Sequence, residues 1–413
     1  DPLTRRALSS TKVMTNWALR NLVQDWVDKH PGVTPDGWDS RELLEPSKDD
    51  GTRIFDDEGD VEVLRTWRAM CPELQGRWPE AARPEHWEGV TMENGRVVEL
   101  SLEDFGLTGA VPAEIGRLSA LRVLNLGVNK LTSLPAEIGQ LTSLEGLYLY
   151  GNQLTSVPAE IGQLTALEEL YLHDNQLTSL PAEIGQLTSL TVLDLGENQL
   201  MSLPAEIWQL TSLQGLNLGF NPLTSLPSEI GQLTLLEELQ LNRNQLTSLP
   251  AEIGRLSALR VLNLSLNQLT TLPAEIGQLT SLTKLDLDSN RLTSLPAEIG
   301  QLILLTYLNL GGNQLTSVPA EIWQLTSLEE LSLRGNQLTS VPAEIGQLTE
   351  LAVLSLGANQ LTSVPTEIGQ LTSLDYLYLG GNQLTSVPAE IGQLTALKRF
   401  DLSNNQLTSV PAE

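Results

Sequence analysis

Three histidines, His30, His86 and His173, are the only imidazoles in 413 residues, and they fall in three different segments. Nucleophilic or general-base catalysis needs a base within hydrogen-bond reach of its partner, and no such pair can be drawn here. Neither a His-Glu-x-x-His helix nor a glycine-rich phosphate loop is present. The single cysteine, Cys71, allows no intrachain disulfide and no cysteine-rich zinc site. Asp286-Leu287-Asp288 puts two carboxylates on one strand face, a spacing that could suggest calcium, although such strand charges ordinarily face water. Asn263-Leu264-Ser265 is a glycosylation sequon. These residues define no catalytic group, no metal site and no cofactor.

The chemistry that can be read is that of recognition. Tyr148, Tyr150, Tyr171 and His173 recur at spacings that place them on neighbouring elements, with Glu168, Glu169, Asp174, Asp194 and Glu197 beside them. Tyr376 and Tyr378 form a second group near Lys398 and Arg399. Exposed tyrosines flanked by charge are a common composition of protein-binding hot spots. The competing role for the same rings is to fill space between strands.

What positions them is a repeat. Asn129, Asn152, Asn175, Asn198, Asn221, Asn244, Asn267, Asn290, Asn313, Asn336, Asn359, Asn382 and Asn405 stand 23 residues apart. A period of this length marks a solenoid. One unit, from Leu121, reads LRVLNLGVNKLTSLPAEIGQLTS. Its opening alternates like a strand around Leu124 and Leu126. The asparagine amide both donates and accepts, so it is expected to bond the buried backbone of its own turn and of the next, forming a ladder. Pro135 turns the chain onto the convex side, where Pro-Ala-Glu-Ile-Gly-Gln-Leu has room for only one or two helical turns. The expected class is an α/β solenoid with a parallel concave sheet, short convex turns and a small N-terminal helical segment. Thirteen strands ~4.8 Å apart span on the order of 60 Å. A glutamate recurs on the convex side (Glu137, Glu160, Glu183), as expected of a solvated face. Trp208 and Trp323 replace the glycine of the convex turn, either as lateral contacts or by drift.

The pattern L-x-x-L-x-L-x-x-N-x-L-x-x-L-P over residues 97–413 resembles the leucine-rich repeat family. Its Leu-Pro pair and length are similar to the Ras-group subclass of intracellular signalling scaffolds. The resemblance implies a horseshoe that binds a protein partner on its concave face. The first unit departs, with Phe105 where asparagine is expected and a plant-type Leu107-Thr108-Gly109-Ala110-Val111-Pro112. Trp87-Glu88-Gly89-Val90 is similar to the opening of plant and algal repeat proteins, which makes 61–96 an N-terminal cap.

Residues 1–30 carry a different likeness. Asp1-Pro2-Leu3-Thr4-Arg5-Arg6-Ala7-Leu8, followed by Asn16-Trp17-Ala18-Leu19-Arg20 and Trp26, resembles the C-terminal half of a U-box, the zinc-free ubiquitin-ligase module. The resemblance implies that Pro2 and Arg5 contact a ubiquitin-conjugating enzyme. It also implies that this half, lacking the first loop, is inert by itself. The repeats would then select a ligase substrate. Leu19, Leu22, Val23 and Trp26 fit any amphipathic helix equally well. Residues 31–60, rich in Pro, Gly and Asp, read as a linker.

Composition limits the partner. Net charge is −27 with 18% charged residues, a sign that argues against nucleic acid and anionic membrane and leaves a basic protein open. The lone cysteine and the lack of a signal peptide or spanning apolar run point to a cytoplasmic, intracellular protein. The start at Asp1 and the end in mid-repeat suggest a piece of a longer chain.

Overall fold

The structure, a computed structural model, describes residues 58–408. Helices α1 (Glu58–Met70) and α2 (Pro72–Arg77) lead into a hairpin, β1 (Val90–Glu93) with β2 (Arg96–Ser101), which is antiparallel. From β2 onward the sheet is parallel. A two-stranded side sheet joins β3 (Thr108–Ala110) to β5 (Lys130–Ser133). β4 (Val123–Asn125) follows β2 in the main sheet, then β6 (Gly146–Tyr148), β7 (Glu169–Tyr171) and β8 (Val192–Asp194). One three-residue strand per repeat continues to Arg399–Asp401, giving fifteen strands in order.

The register never slips between repeats: Leu124 lies opposite Leu147, Leu147 opposite Leu170, Leu170 opposite Leu193. Because side chains alternate across a strand, the central leucine of each repeat strand from Val123–Asn125 to Tyr376–Tyr378 points inward and is buried; in the last strand Phe400 takes that place and is 36% exposed. The residues flanking the central one form the concave surface. Each convex side carries a five-residue 3-10 turn such as Ala136–Gln140, entered through Pro135 in extended conformation (φ −78°, ψ 156°).

That turn explains its own glycine. A Cβ on Gly139 would lie 2.5 Å from the Glu160 carbonyl oxygen of the next repeat, so glycine lets the convex turns stack. Trp208 and Trp323 take that position and are buried, 3% and 2% exposed. They are therefore not exposed lateral contacts; they are wedges between turns. The following prolines, Pro227 and Pro342, each rotate to ψ 165°. They alone among the repeat prolines from Pro112 to Pro388 become exposed.

The asparagine ladder exists, with one change of direction. Asn152 Nδ2 donates to the carbonyls of Leu149 (3.0 Å) and Tyr150 (3.1 Å) in its own turn, and to Leu126 (2.9 Å) in the preceding one. Its Oδ1 accepts from the Leu131 N–H, also in the preceding repeat, at 2.9 Å. Each rung thus completes the repeat before it, not the one after, because the strand-to-turn corner brings the amide against the earlier coil. The residue before each asparagine is left-handed, including the bulky Val128 (φ 53°), Phe220 (φ 56°) and Leu266 (φ 55°).

The first coil is closed by tryptophans. Trp78 and Trp87 stack at 4.9 Å, and their indole N–H groups donate to the carbonyls of Glu88 and Pro79. Asp60, 3% exposed, accepts from Arg96 Nε and from the Val97 N–H, both at 2.9 Å. The Arg77 guanidinium covers the Phe105 ring at 4.2 Å. Burial, then a hydrogen bond to Glu73, pushes the Cys71 thiol up to about 11, so it stays protonated and unreactive.

Candidate functional site

Strands β6 and β7 carry adjacent pairs in register: Tyr148 lies opposite Tyr171, and two residues on, past the strand ends, Tyr150 neighbours His173. Their rings stack. Tyr148 and Tyr171 are 5.2 Å apart at 16°, Tyr150 and His173 4.9 Å apart at 4°, and Tyr171 meets His173 edge-on at 6.2 Å. Small residues make room: a Cβ on Gly127 would lie 2.6 Å from the Tyr150 ring, and one on Gly146 would lie 2.9 Å from Tyr148. The rings therefore do fill space, as the competing role requires, yet each remains half-exposed.

The acidic residues fall around this cluster. The Tyr148 hydroxyl donates to Glu169 Oε2 at 2.6 Å. Burial and then that carboxylate push the Tyr148 hydroxyl above its usual range. Tyr171 rises to about 12 through burial and the charges of Glu169, Asp194 and Glu238. Tyr150 rises through burial and Glu103. His173 Nδ1, shielded from solvent, lies 3.2 Å from Asp194 Oδ2, off the hydrogen-bond axis. Burial opposes the imidazolium, but Asp194, Asp174 and Glu197 outweigh it and raise His173 above its ordinary value. Glu168 and Asp174 are exposed beside the rings.

Two features of this surface were not anticipated. Glu103 and Glu238 belong to it through the stacking of coils. And residues 131–242 hold thirteen Asp and Glu and no Lys or Arg, a charge run that a count along the sequence would have found.

The second tyrosine group stands nine repeats further on. Tyr376 is 37% exposed. Arg399 lies over Tyr378 at 5.5 Å, and Lys398 pairs with Asp375 at 2.7 Å. Asp286 and Asp288 do not converge on a common point: Asp286 Oδ1 accepts from the Asp288 N–H and Asp288 Oδ2 from the Ser289 hydroxyl. Among the described residues no group of His, Cys, Asp or Glu is arranged to hold a metal ion, and no helix is long and apolar enough to cross a membrane. Pro2 and Arg5 lie outside the described residues.

This succession of leucine-lined coils is matched by the model of the leucine-rich repeat region, over residues 96–176, 170–269, 242–360 and 296–407. The chain belongs to the leucine-rich repeat family. It is similar to a leucine-rich repeat protein of Leptospira interrogans, at 42% identity over 75% of this chain and 90% of that one, with a TM-score of 0.62. It is similar also to an internalin of Listeria monocytogenes, at 26% identity over 85% and 96% of the two chains (TM-score 0.67). A plant peptide hormone receptor, solved in complex with its peptide, shares 33% identity over 79% of this chain and 57% of the receptor (TM-score 0.70).

Proposed function

We propose that this protein is an interaction scaffold whose concave sheet holds a basic segment of a protein partner at the Tyr148, Tyr150, Tyr171 and His173 cluster. The observation that carries this reading is the cluster's setting: stacked rings within a run of 112 residues that holds no Lys or Arg. Aromatic rings supply contact area and bind cations over their faces, while the surrounding carboxylates steer a basic partner and fix its register. The plant receptor's peptide complex shows that a similar solenoid can hold a peptide. Tyr148→Ala with Tyr171→Ala is expected to weaken a captured partner by more than about 2 kcal/mol with the fold intact. Glu137→Ala with Glu160→Ala, on the convex side, is expected to do little. Loss of the partner with the convex pair and its retention with the tyrosine pair would refute the assignment.

We place the protein inside the cell, on the strength of its single, buried, free cysteine. A ubiquitin-ligase reading, with the repeats choosing the substrate, rests on the motif from Asp1 to Trp26. Single-turnover discharge of a charged conjugating enzyme tests it. Under this reading, Arg5→Ala in a chain extended upstream slows discharge while leaving enzyme docking intact, and no discharge with any conjugating enzyme rejects a ligase role.

A further inference from the structure

Towards its C-terminal end the concave face changes character. Elsewhere on this face neighbours cover the glycines: a Cβ on Gly196 would meet the Asn217 amide at 2.8 Å, one on Gly219 the Asn242 amide at 2.6 Å, and one on Gly311 the Asp288 carboxylate at 2.5 Å. Over Gly357 no side chain comes within 4 Å among the three nearest atoms; only the Gly380 backbone is near. The result is an open trough of about 800 Å³ lined by Ser332, Ser355 and Gly357, with Gly380 beside it flanked by Ser403 Oγ and the Asp401 carboxylate. Arg334 stands on one rim, and Arg399 and Asp401 on the other. The Arg334 guanidinium makes no hydrogen bond or ion pair with any described residue, although its charge reaches Asp401. The Arg399 guanidinium lies over the face of Tyr378 and makes no hydrogen bond or short ion pair with any described residue. Asp401 is held low first by hydrogen bonds from Ser403 and then by both arginines, so one carboxylate answers two guanidinium groups. Glu330 and Asp288 also reach the rim, so attraction of an anion here is a contact effect and not a long-range one.

We propose that this trough is a second binding site, for an extended acidic peptide segment whose carboxylate or phosphate lies between Arg334 and Arg399 while its backbone crosses the floor at Gly357. Guanidinium groups bind such anions through paired N–H donors. Glycine lets a peptide backbone approach closely, and the serine hydroxyls can donate or accept. Four strands ~4.8 Å apart make a floor roughly 14 Å across, which an extended hexapeptide of ~20 Å spans. The site is separate from the tyrosine cluster and does not depend on it.

The test is calorimetric titration of the full chain at ~0.1 M salt, where distant charges are screened. Three blocked hexapeptides serve as probes, identical except for a central glutamate, phosphoserine or glutamine. The acidic probes are expected to bind at least about tenfold more tightly than the glutamine probe, the scale of one charge-assisted hydrogen bond. Arg334→Ala removes that preference. Ser355→Tyr closes the trough without changing charge, because Ser355 lies opposite Tyr378 as Tyr148 lies opposite Tyr171, and it abolishes binding of all three. The Tyr148→Ala, Tyr171→Ala variant retains binding. A stronger response to phosphoserine than to glutamate identifies a phosphorylated segment; equal responses identify an ordinary acidic one. Equal affinity for all three probes, binding by none, or acidic binding unchanged in Arg334→Ala overturns the proposal.

Discussion

Replacing Asn267 with alanine isolates what a single rung of the ladder does. Asn267 is 7% exposed. Its Oδ1 accepts from the Leu246 N–H at 3.0 Å, and its Nδ2 donates to the carbonyls of Leu241 (2.9 Å), Leu264 (3.0 Å) and Ser265 (3.2 Å). These partners do not suffer equally. Leu241 keeps a bond from Asn244, and Leu264 keeps one from Asn290. Ser265 keeps the Arg243 N–H. Only the Leu246 N–H is left with nothing. One buried orphaned donor costs roughly 1–3 kcal/mol, and three thinned acceptors place the sum near the top of that range. Asn405→Ala orphans the Leu384 N–H in the same way, but Asn405 is half-exposed, so water replaces the amide and the expected cost is below ~1 kcal/mol. Asn267→Asp keeps the acceptor and turns a carboxylate oxygen toward the three carbonyl oxygens of Leu241, Leu264 and Ser265. It should lose more than alanine, with a deficit that shrinks as pH falls. The assay is the urea midpoint of each variant, with amide exchange of Leu246 as the local readout. Equal midpoint shifts for the Asn267 and Asn405 variants, or an unchanged exchange rate at Leu246, would refute the reasoning.

Three further outcomes are expected. Leu402 and Leu407 are half-buried where their counterparts in the middle of the array are fully covered, so hydrogen exchange should be fastest beyond about residue 390, and uniform protection would contradict this. Val128→Gly should raise stability by about 0.5–1 kcal/mol, because relief of a β-branched left-handed residue exceeds the added freedom of the unfolded chain; a lower denaturation midpoint would count against it. Because His173 is raised in the folded state, its pairing with Asp194 contributes stability that is fully present below the ordinary value of 6.5 and fades as pH rises through the raised one. The stability advantage of the native protein over His173→Gln should therefore be larger at pH 5.5 than at pH 8.5, and a constant difference would show that the ion pair is not formed.

The fold was legible because its determinants are local and repeated: Leu124, Asn129 and Pro135 each encode one corner, and thirteen copies leave no ambiguity of register. Tyr148, Tyr171 and His173 could be placed together for the same reason, since a fixed period converts sequence offset into lateral distance. What could not be read depends on direction or on neighbours one coil away. An amide that donates and accepts does not declare which coil it will serve. A tryptophan in a glycine position reveals its burial only once the next turn is seen to swing outward at Pro227. The gap over Gly357 depends on what Gly380 and Ser355 fail to supply, and an absent side chain has no motif.

The one-sidedness of the ladder makes the array a vectorial object. Each coil is finished by its successor, so the first coil owes nothing backward, and Phe105 can stand where every later coil needs an amide. A coil removed from the interior closes without leaving a debt, since its two neighbours present the same groups to each other. Shortening from the C-terminal side is different. Cutting after any coil strands the N–H that the next asparagine would have met, and a stop at that end must carry an acceptor for it. Grafted caps for such arrays are therefore not interchangeable: the N-terminal cap brings the stacked Trp78 and Trp87 and the Asp60 acceptor for the Val97 N–H, with no amide to match from an earlier coil, whereas a C-terminal one has to present an acceptor at the point the next asparagine would have filled.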